Sequence, residues 1–91
     1  MMKEELWSLA QDIVDEVNGY EMIKYERYEV SMAVARLVND IEYAEEFNDI
    51  SILEPYLETL EMTGNDELIG KLKNIMFDIM LNIMHLKVME G

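Results

Sequence analysis

Asp and Glu are the most numerous residues of this sequence whose side chains could take part in catalysis or ligand binding. The 91 residues include 20 Asp and Glu against seven Lys and Arg, with one His and no Cys, and the net charge is −13. The single histidine, His85, has one nearby acid on its predicted helix, Asp78, two turns away, so we interpret it as a surface residue rather than a metal ligand or general base. We predict no catalytic residue, no metal site and no cofactor.

Two pairs of carboxylates have a spacing that could serve magnesium chemistry. Glu26 and Glu29 are separated by two residues, and so are Glu46 and Asp49. This spacing resembles the magnesium-binding motif of the MazG-like nucleotide pyrophosphohydrolases, which are also helical bundles. The resemblance implies nucleotide hydrolysis at metal ions that the two pairs share from facing helices.

The predicted helices do not bring these two pairs together. Glu26 and Glu46 fall on one unbroken helix, about 30 Å apart by helix rise. If the chain is aligned by its apolar last helix, Lys71 and Asn74 stand where that family would present metal-binding acids. We therefore predict that the protein is not an enzyme, and we keep a degenerate MazG-like bundle as a minor alternative.

The acidic residues are unevenly distributed. Residues 37–70 contain ten Asp and Glu and no Lys or Arg, and residues 1–67 carry a net charge of −14, whereas residues 68–91 carry +1. A protein that binds nucleic acid or an anionic membrane surface directly needs basic residues to contact the phosphates. The charge therefore argues against both and favours rapid association with a basic protein.

Apolar residues that recur three and four positions apart predict two helices in the first half of the chain. The first helix has the stripe Leu6, Leu9, Ile13 and Val17. We expect it to end at Asn18-Gly19, because glycine accepts the left-handed conformation that closes a helix. The second is expected over about 21–48, and its length of roughly 40 Å predicts a bend or fraying within residues 20–27.

Two further helices are predicted in the second half. The third should begin at Glu54, with Pro55 in its first turn, where the missing N–H of proline costs nothing. Thr63-Gly64-Asn65 is a turn, and Asn65 or Asp66 should cap the last helix, which is expected over about 66–89. Four helices with short connections predict an all-α fold, a compact antiparallel four-helix bundle that forms a single domain over residues 1–91.

The last helix is the most apolar part of the chain. Apolar residues cover most of its circumference, which predicts that it lies at the centre of the bundle. The alternative is that part of it forms an oligomer or partner interface. In that case the candidate contacts are methionines four residues apart: Met76, Met80 and Met84.

The acidic residues of the second and third helices form a candidate partner-binding surface. On the second helix they have the relative positions 0, 3, 4 and 7 of one face, and the full set is Glu42, Glu45, Glu46, Asp49, Glu54, Glu58 and Glu61. Ten acids over 34 helical residues give roughly one charge per 5 Å of helix axis. That density is comparable with the phosphates of a nucleic-acid strand, about 3.4 Å apart.

The leading functional hypothesis is a small acidic protein-binding module that occupies the basic groove of a nucleic-acid-binding target. Small phage-encoded anti-restriction, anti-CRISPR and nuclease-immunity proteins are analogies of charge and size. The alternative is a homo-oligomeric adaptor or assembly subunit, with the apolar last helix paired in a homodimer. The lack of cysteine favours a cytoplasmic location, the host cytoplasm if the protein is phage-encoded.

Overall fold

The computed structural model describes residues 3–21 and 26–90, which form four α-helices and no strands. The helices are α1 (Lys3–Glu21), α2 (Arg27–Phe47), α3 (Glu54–Thr63) and α4 (Asp66–Glu90). The all-α fold with four packed helices is confirmed. The antiparallel order and the single-domain boundary stay predictions. In the described ranges, no helix has the length and apolar character that crossing a membrane requires.

The connection between α3 and α4 follows from the sequence. Gly64 adopts a left-handed conformation (φ 74°) and ends α3. The side-chain oxygen of Asn65 then accepts a hydrogen bond from the Leu68 N–H at 3.2 Å, which satisfies one of the free N–H groups at the start of α4. Pro55 lies in the first turn of α3. The predicted start of α3 and the Asn65 cap of α4 are therefore confirmed.

The boundary between α1 and α2 differs from the prediction. Gly19 does not end α1, which continues to Glu21. A glycine inside a helix costs only about 1 kcal/mol relative to alanine, so one glycine does not by itself end a helix. The second helix begins at Arg27 rather than near residue 21. The expected bend or fraying falls mainly on residues 22–25, which lie outside the described part of the chain.

The centre of the fold is α1, because it packs against each of the other three helices. Ala10 and Ile13 of α1 are fully buried, and so is the face of α2 that includes Leu37 and Ile41. Leu53, just before α3, and Leu60 within it are also inaccessible to solvent. These residues form one continuous apolar core with the first half of α4.

The prediction that α4 is the central helix was wrong. Its buried residues form one stripe, Leu68, Leu72, Ile75, Met76 and Ile79. In the second half of the helix, large apolar side chains remain exposed. An apolar composition does not reveal how many sides of a helix are covered, and the described part of α4 packs mainly on α3 and α1. The Cα radius of gyration is 14.0 Å, compared with about 12 Å expected for a domain of this length.

Candidate protein-binding surface

Six glutamates of α2 and α3 present their carboxylates to solvent. Glu42, Glu45 and Glu46 lie within the last two turns of α2, and all three are exposed. Three more follow along α3: Glu54, Glu58 and Glu61. We call these six residues the acidic surface. All six belong to the predicted partner-binding set.

The carboxylates of the acidic surface have no basic partner among the described side chains. Among the described residues, the structure contains one ion pair, which joins Lys71 Nζ to Glu67 Oε1 within α4 at 3.2 Å. The acidic surface therefore carries uncompensated charge. Carboxylates three or four residues apart on a helix repel each other by a few tenths of a kcal/mol per pair.

A hydrogen bond between side chains joins the two helices that carry the acidic surface. The hydroxyl of Tyr56, in α3, donates to Asp40 Oδ2, in α2, at 2.6 Å in a half-buried position. Partial burial is the main cause that raises the pKa of Tyr56 to about 12, and this hydrogen bond is the next largest cause. The contact holds the beginning of α3 against the middle of α2. It therefore links the start of α3, which carries Glu54, to the helix that carries the α2 carboxylates.

Asp49, the seventh predicted contact, does not lie on the helical face with the other α2 acids. The helix ends at Phe47, and Asn48 adopts a left-handed conformation (φ 52°), so the row of acids stops at Glu46. The Asp49 carboxylate accepts hydrogen bonds from the backbone N–H of Ser51 at 2.9 Å and from its hydroxyl at 2.6 Å. These bonds lower the pKa of Asp49. Its carboxylate therefore stabilises the turn before α3.

An exposed aromatic pair lies beside the acidic surface, and the sequence interpretation missed it as a unit. Tyr43 and Phe47 have ring centroids 4.6 Å apart with an interplanar angle of 38°. Their exposed fractions are 44% and 59%. The signal that could have revealed them is the spacing of four residues outside the buried stripe of α2, one residue after each of Glu42 and Glu46.

The second half of α4 presents apolar rather than acidic side chains. We call Phe77, Met80, Leu81 and Met84 the outer α4 surface, and each is at least 44% exposed. Met80 and Met84 thus remain candidates for an oligomer interface. Met76, the third predicted methionine, is buried in the core and leaves little surface for a partner.

The carboxylate pairs with magnesium-motif spacing are far apart, as the sequence predicted. Glu26 directly precedes α2 and Glu46 lies in its last turn, so about 30 Å of helix separates them. Asp49 is engaged by Ser51. Within residues 3–21 and 26–90, no group of three or more possible ligand residues could hold a metal ion. The side chain of His85 lies outside the described residues.

A groove with an apolar floor lies between α1, α2 and the start of α3. Its volume is about 460 Å³, and Ile13 and Val14 form part of its lining, with Arg36, Asp40 and Tyr56 as polar members. The Tyr56 hydroxyl and one Asp40 oxygen already satisfy each other across it. No second described carboxylate or histidine is positioned in this lining to make a catalytic pair with Asp40.

No protein-family model, curated protein or solved structure matches this chain. The arrangement of its own side chains is therefore the basis for a functional proposal. Two exposed features of the described residues carry that proposal: the acidic surface with its aromatic pair, and the outer α4 surface. Both suit the binding of a macromolecule.

Proposed function

We propose that this protein is a small acidic protein-binding module. Its acidic surface binds the basic groove of a protein that otherwise binds nucleic acid, so the module acts as a nucleic-acid-mimicking inhibitor. The observation that carries the proposal is that six exposed glutamates on two successive helices have no basic partner among the described side chains.

The charge of these glutamates is unfavourable for the isolated chain and favourable for a complex. Like charges repel along α2 and α3 and lower the stability of each helix slightly. A positively charged groove would remove this repulsion and would draw the module in over a long range. The hydrogen bond between Tyr56 and Asp40 links the two helices and would lower the reorganisation that binding requires.

Capture of proteins from a cell lysate can test this proposal. The immobilised protein should retain basic proteins at low salt and release them as the salt concentration rises, because exposed charges are screened. Added duplex DNA should displace the same proteins, since it would compete for the groove. Capture that does not change with salt or with DNA contradicts the proposal.

Two charge-reversal variants separate the acidic surface from the overall charge. The triple variant Glu45→Lys, Glu46→Lys and Glu58→Lys should lose the DNA-displaceable proteins. The control is Glu4→Lys, Asp15→Lys and Asp78→Lys, which changes the net charge equally at exposed positions outside the acidic surface. The control should retain these proteins. Equal loss in both variants would show that net charge alone, rather than the acidic surface, accounts for the binding.

The outer α4 surface favours a second candidate function, a homo-oligomeric adaptor or assembly subunit. Phe77 and Met84 are 59% and 60% exposed, and exposed apolar patches on small proteins commonly mark interaction sites. Between Leu68 and Met84 the chain has two Lys and one Asp. Two copies could therefore meet here with little charge repulsion at the contact itself.

Molar mass in solution discriminates between the two candidates. A homo-oligomer should sediment at a multiple of the 10.7 kDa chain mass, and Met80→Glu with Met84→Glu should return it to the monomer. A strict monomer at high protein and salt concentration removes this second candidate. The result does not depend on whether the acidic surface binds a target.

A further inference from the structure

The aromatic pair at the end of α2 is an apolar patch that the fold leaves uncovered. Tyr43 and Phe47 contact each other, yet about half of each side chain is exposed. Neither residue belongs to the core or to the apolar residues packed against it. Tyrosine and tryptophan dominate the energetics of many protein interfaces, because a rigid ring offers a large contact area at a low entropy cost.

Carboxylates border this pair along the same helix. Glu46 follows Tyr43 by three residues, so the two side chains are neighbours on the surface of α2. Glu42 lies one turn before Glu46 and extends the row. Neither glutamate has a basic partner among the described side chains. Exposed aromatic rings and carboxylates therefore lie side by side on α2, and no described side chain fully covers the rings or pairs with the carboxylates.

Arginine is the side chain that complements both features at once. Its guanidinium group is planar and weakly hydrated, so it stacks on an aromatic ring and also donates paired hydrogen bonds to a carboxylate. The ammonium group of lysine is a compact and strongly hydrated charge that lacks this paired geometry. A phosphate or an acidic peptide would be repelled by Glu42 and Glu46.

We propose that Tyr43 and Phe47, bordered by Glu42 and Glu46, form a docking site for arginine side chains of a partner protein. This inference rests on the proposed function, in which the acidic surface engages a basic target. It adds the kind of basic residue that the surface recognises. The charge of the glutamates brings the partner close, and the rings discriminate arginine from lysine.

Binding of two synthetic peptides to the full chain can test the inference. The peptides have the same length and charge, with arginine at every basic position in one and lysine in the other. Calorimetry at low salt should show about fivefold tighter binding of the arginine peptide, the effect of one exposed cation–π contact. Binding of both peptides should weaken as salt is added.

Variants of the rings separate their contribution from that of charge. Tyr43→Leu with Phe47→Leu keeps the patch apolar and should abolish the preference for arginine, while the lysine peptide binds as before. The control Tyr20→Leu with Tyr28→Leu removes two exposed rings elsewhere and should keep the preference. Circular dichroism verifies the helical content of each variant.

The possible results have separate meanings. If both peptides bind in a salt-dependent way with equal affinity, the docking site for arginine is wrong and the acidic binding module stands. A preference that persists in the Tyr43→Leu and Phe47→Leu variant also overturns the docking site. If neither peptide binds at low salt, the proposed function fails and the docking site fails with it.

Discussion

The acidic surface and the outer α4 surface are both exposed, but different forces would govern the binding of a partner to each. The acidic surface consists of glutamates on α2 and α3 that have no basic partner among the described side chains. The outer α4 surface is apolar and borders the core through Ile79 and Ile83. Charge acts over a Debye length of about 10 Å and is sensitive to salt, whereas apolar burial acts only on contact. The chain therefore carries one surface suited to long-range electrostatic attraction, the acidic surface, and another suited to apolar contact, the outer α4 surface.

The largest expected effect comes from a comparison of leucine-to-alanine substitutions in the two halves of α4. Leu72→Ala should lower the free energy of unfolding by about 3 kcal/mol, because this fully buried side chain would leave a cavity. Leu81→Ala should change it by less than about 0.5 kcal/mol, since Leu81 is exposed. Urea unfolding measures both values. A large and concentration-dependent cost for Leu81→Ala would show that a second copy covers the outer α4 surface.

Charge reversal should stabilise the acidic surface while it removes binding. In Glu45→Lys, Glu46→Lys and Glu58→Lys, repulsive pairs with Glu42, Glu54 and Glu61 become attractive. Lysines near the end of α2 also suit the helix dipole. The free energy of unfolding should rise by about 1 kcal/mol at low salt and by less at high salt. An unchanged or lower stability would mean that these glutamates do not repel one another.

An effect of similar size and opposite sign is expected at the contact that joins the two acidic helices. Tyr56→Phe removes the hydrogen bond to Asp40 and should lower the free energy of unfolding by about 1 kcal/mol. Folding raises the pKa of Tyr56 from 10.0 to about 12. Its contribution is therefore complete below pH 10 and is lost as the pH rises towards 12. Unfolding experiments across this range should show the loss in the parent protein and not in Tyr56→Phe.

The smallest effect should distinguish Asp49 from its neighbour Glu46. Asp49→Asn and Glu46→Gln each remove one negative charge, but Ser51 already engages the Asp49 carboxylate. Glu46→Gln should therefore weaken binding of the arginine peptide more than Asp49→Asn does. Because folding lowers the pKa of Asp49, its contribution to the turn is present above pH 3.8 and is lost at lower pH. Equal losses of affinity would return Asp49 to the binding set.

The sequence was most informative where a local conformational rule decides the structure. Pro55 marked the first turn of α3, and Asn65 capped α4, because both effects depend on a few neighbouring atoms. Gly19 was misleading, since a single glycine costs a helix only about 1 kcal/mol and does not by itself end it. The exposure of Phe77 and Met84 was likewise beyond the sequence, because periodicity does not reveal how many helices surround α4.

The candidate site was predictable in its charges and not in its geometry. The six glutamates of the acidic surface followed from their spacing, but the end of α2 at Phe47 removed Asp49 from their row. The spacing of Tyr43 and Phe47 was a usable signal for the aromatic pair, but their ring contact and their exposure became visible only in the structure. Position on the helix surface, rather than residue type, decided which residues are available to a partner.

The central claim is that the acidic surface binds a basic partner by its charge. The most direct test is the dissociation constant of the arginine peptide measured over a series of salt concentrations. The parent protein and the control Glu4→Lys, Asp15→Lys and Asp78→Lys should both show affinity that falls steeply with salt. The variant Glu45→Lys, Glu46→Lys and Glu58→Lys should bind weakly with little salt dependence, and the same steep dependence in all three proteins would contradict the claim.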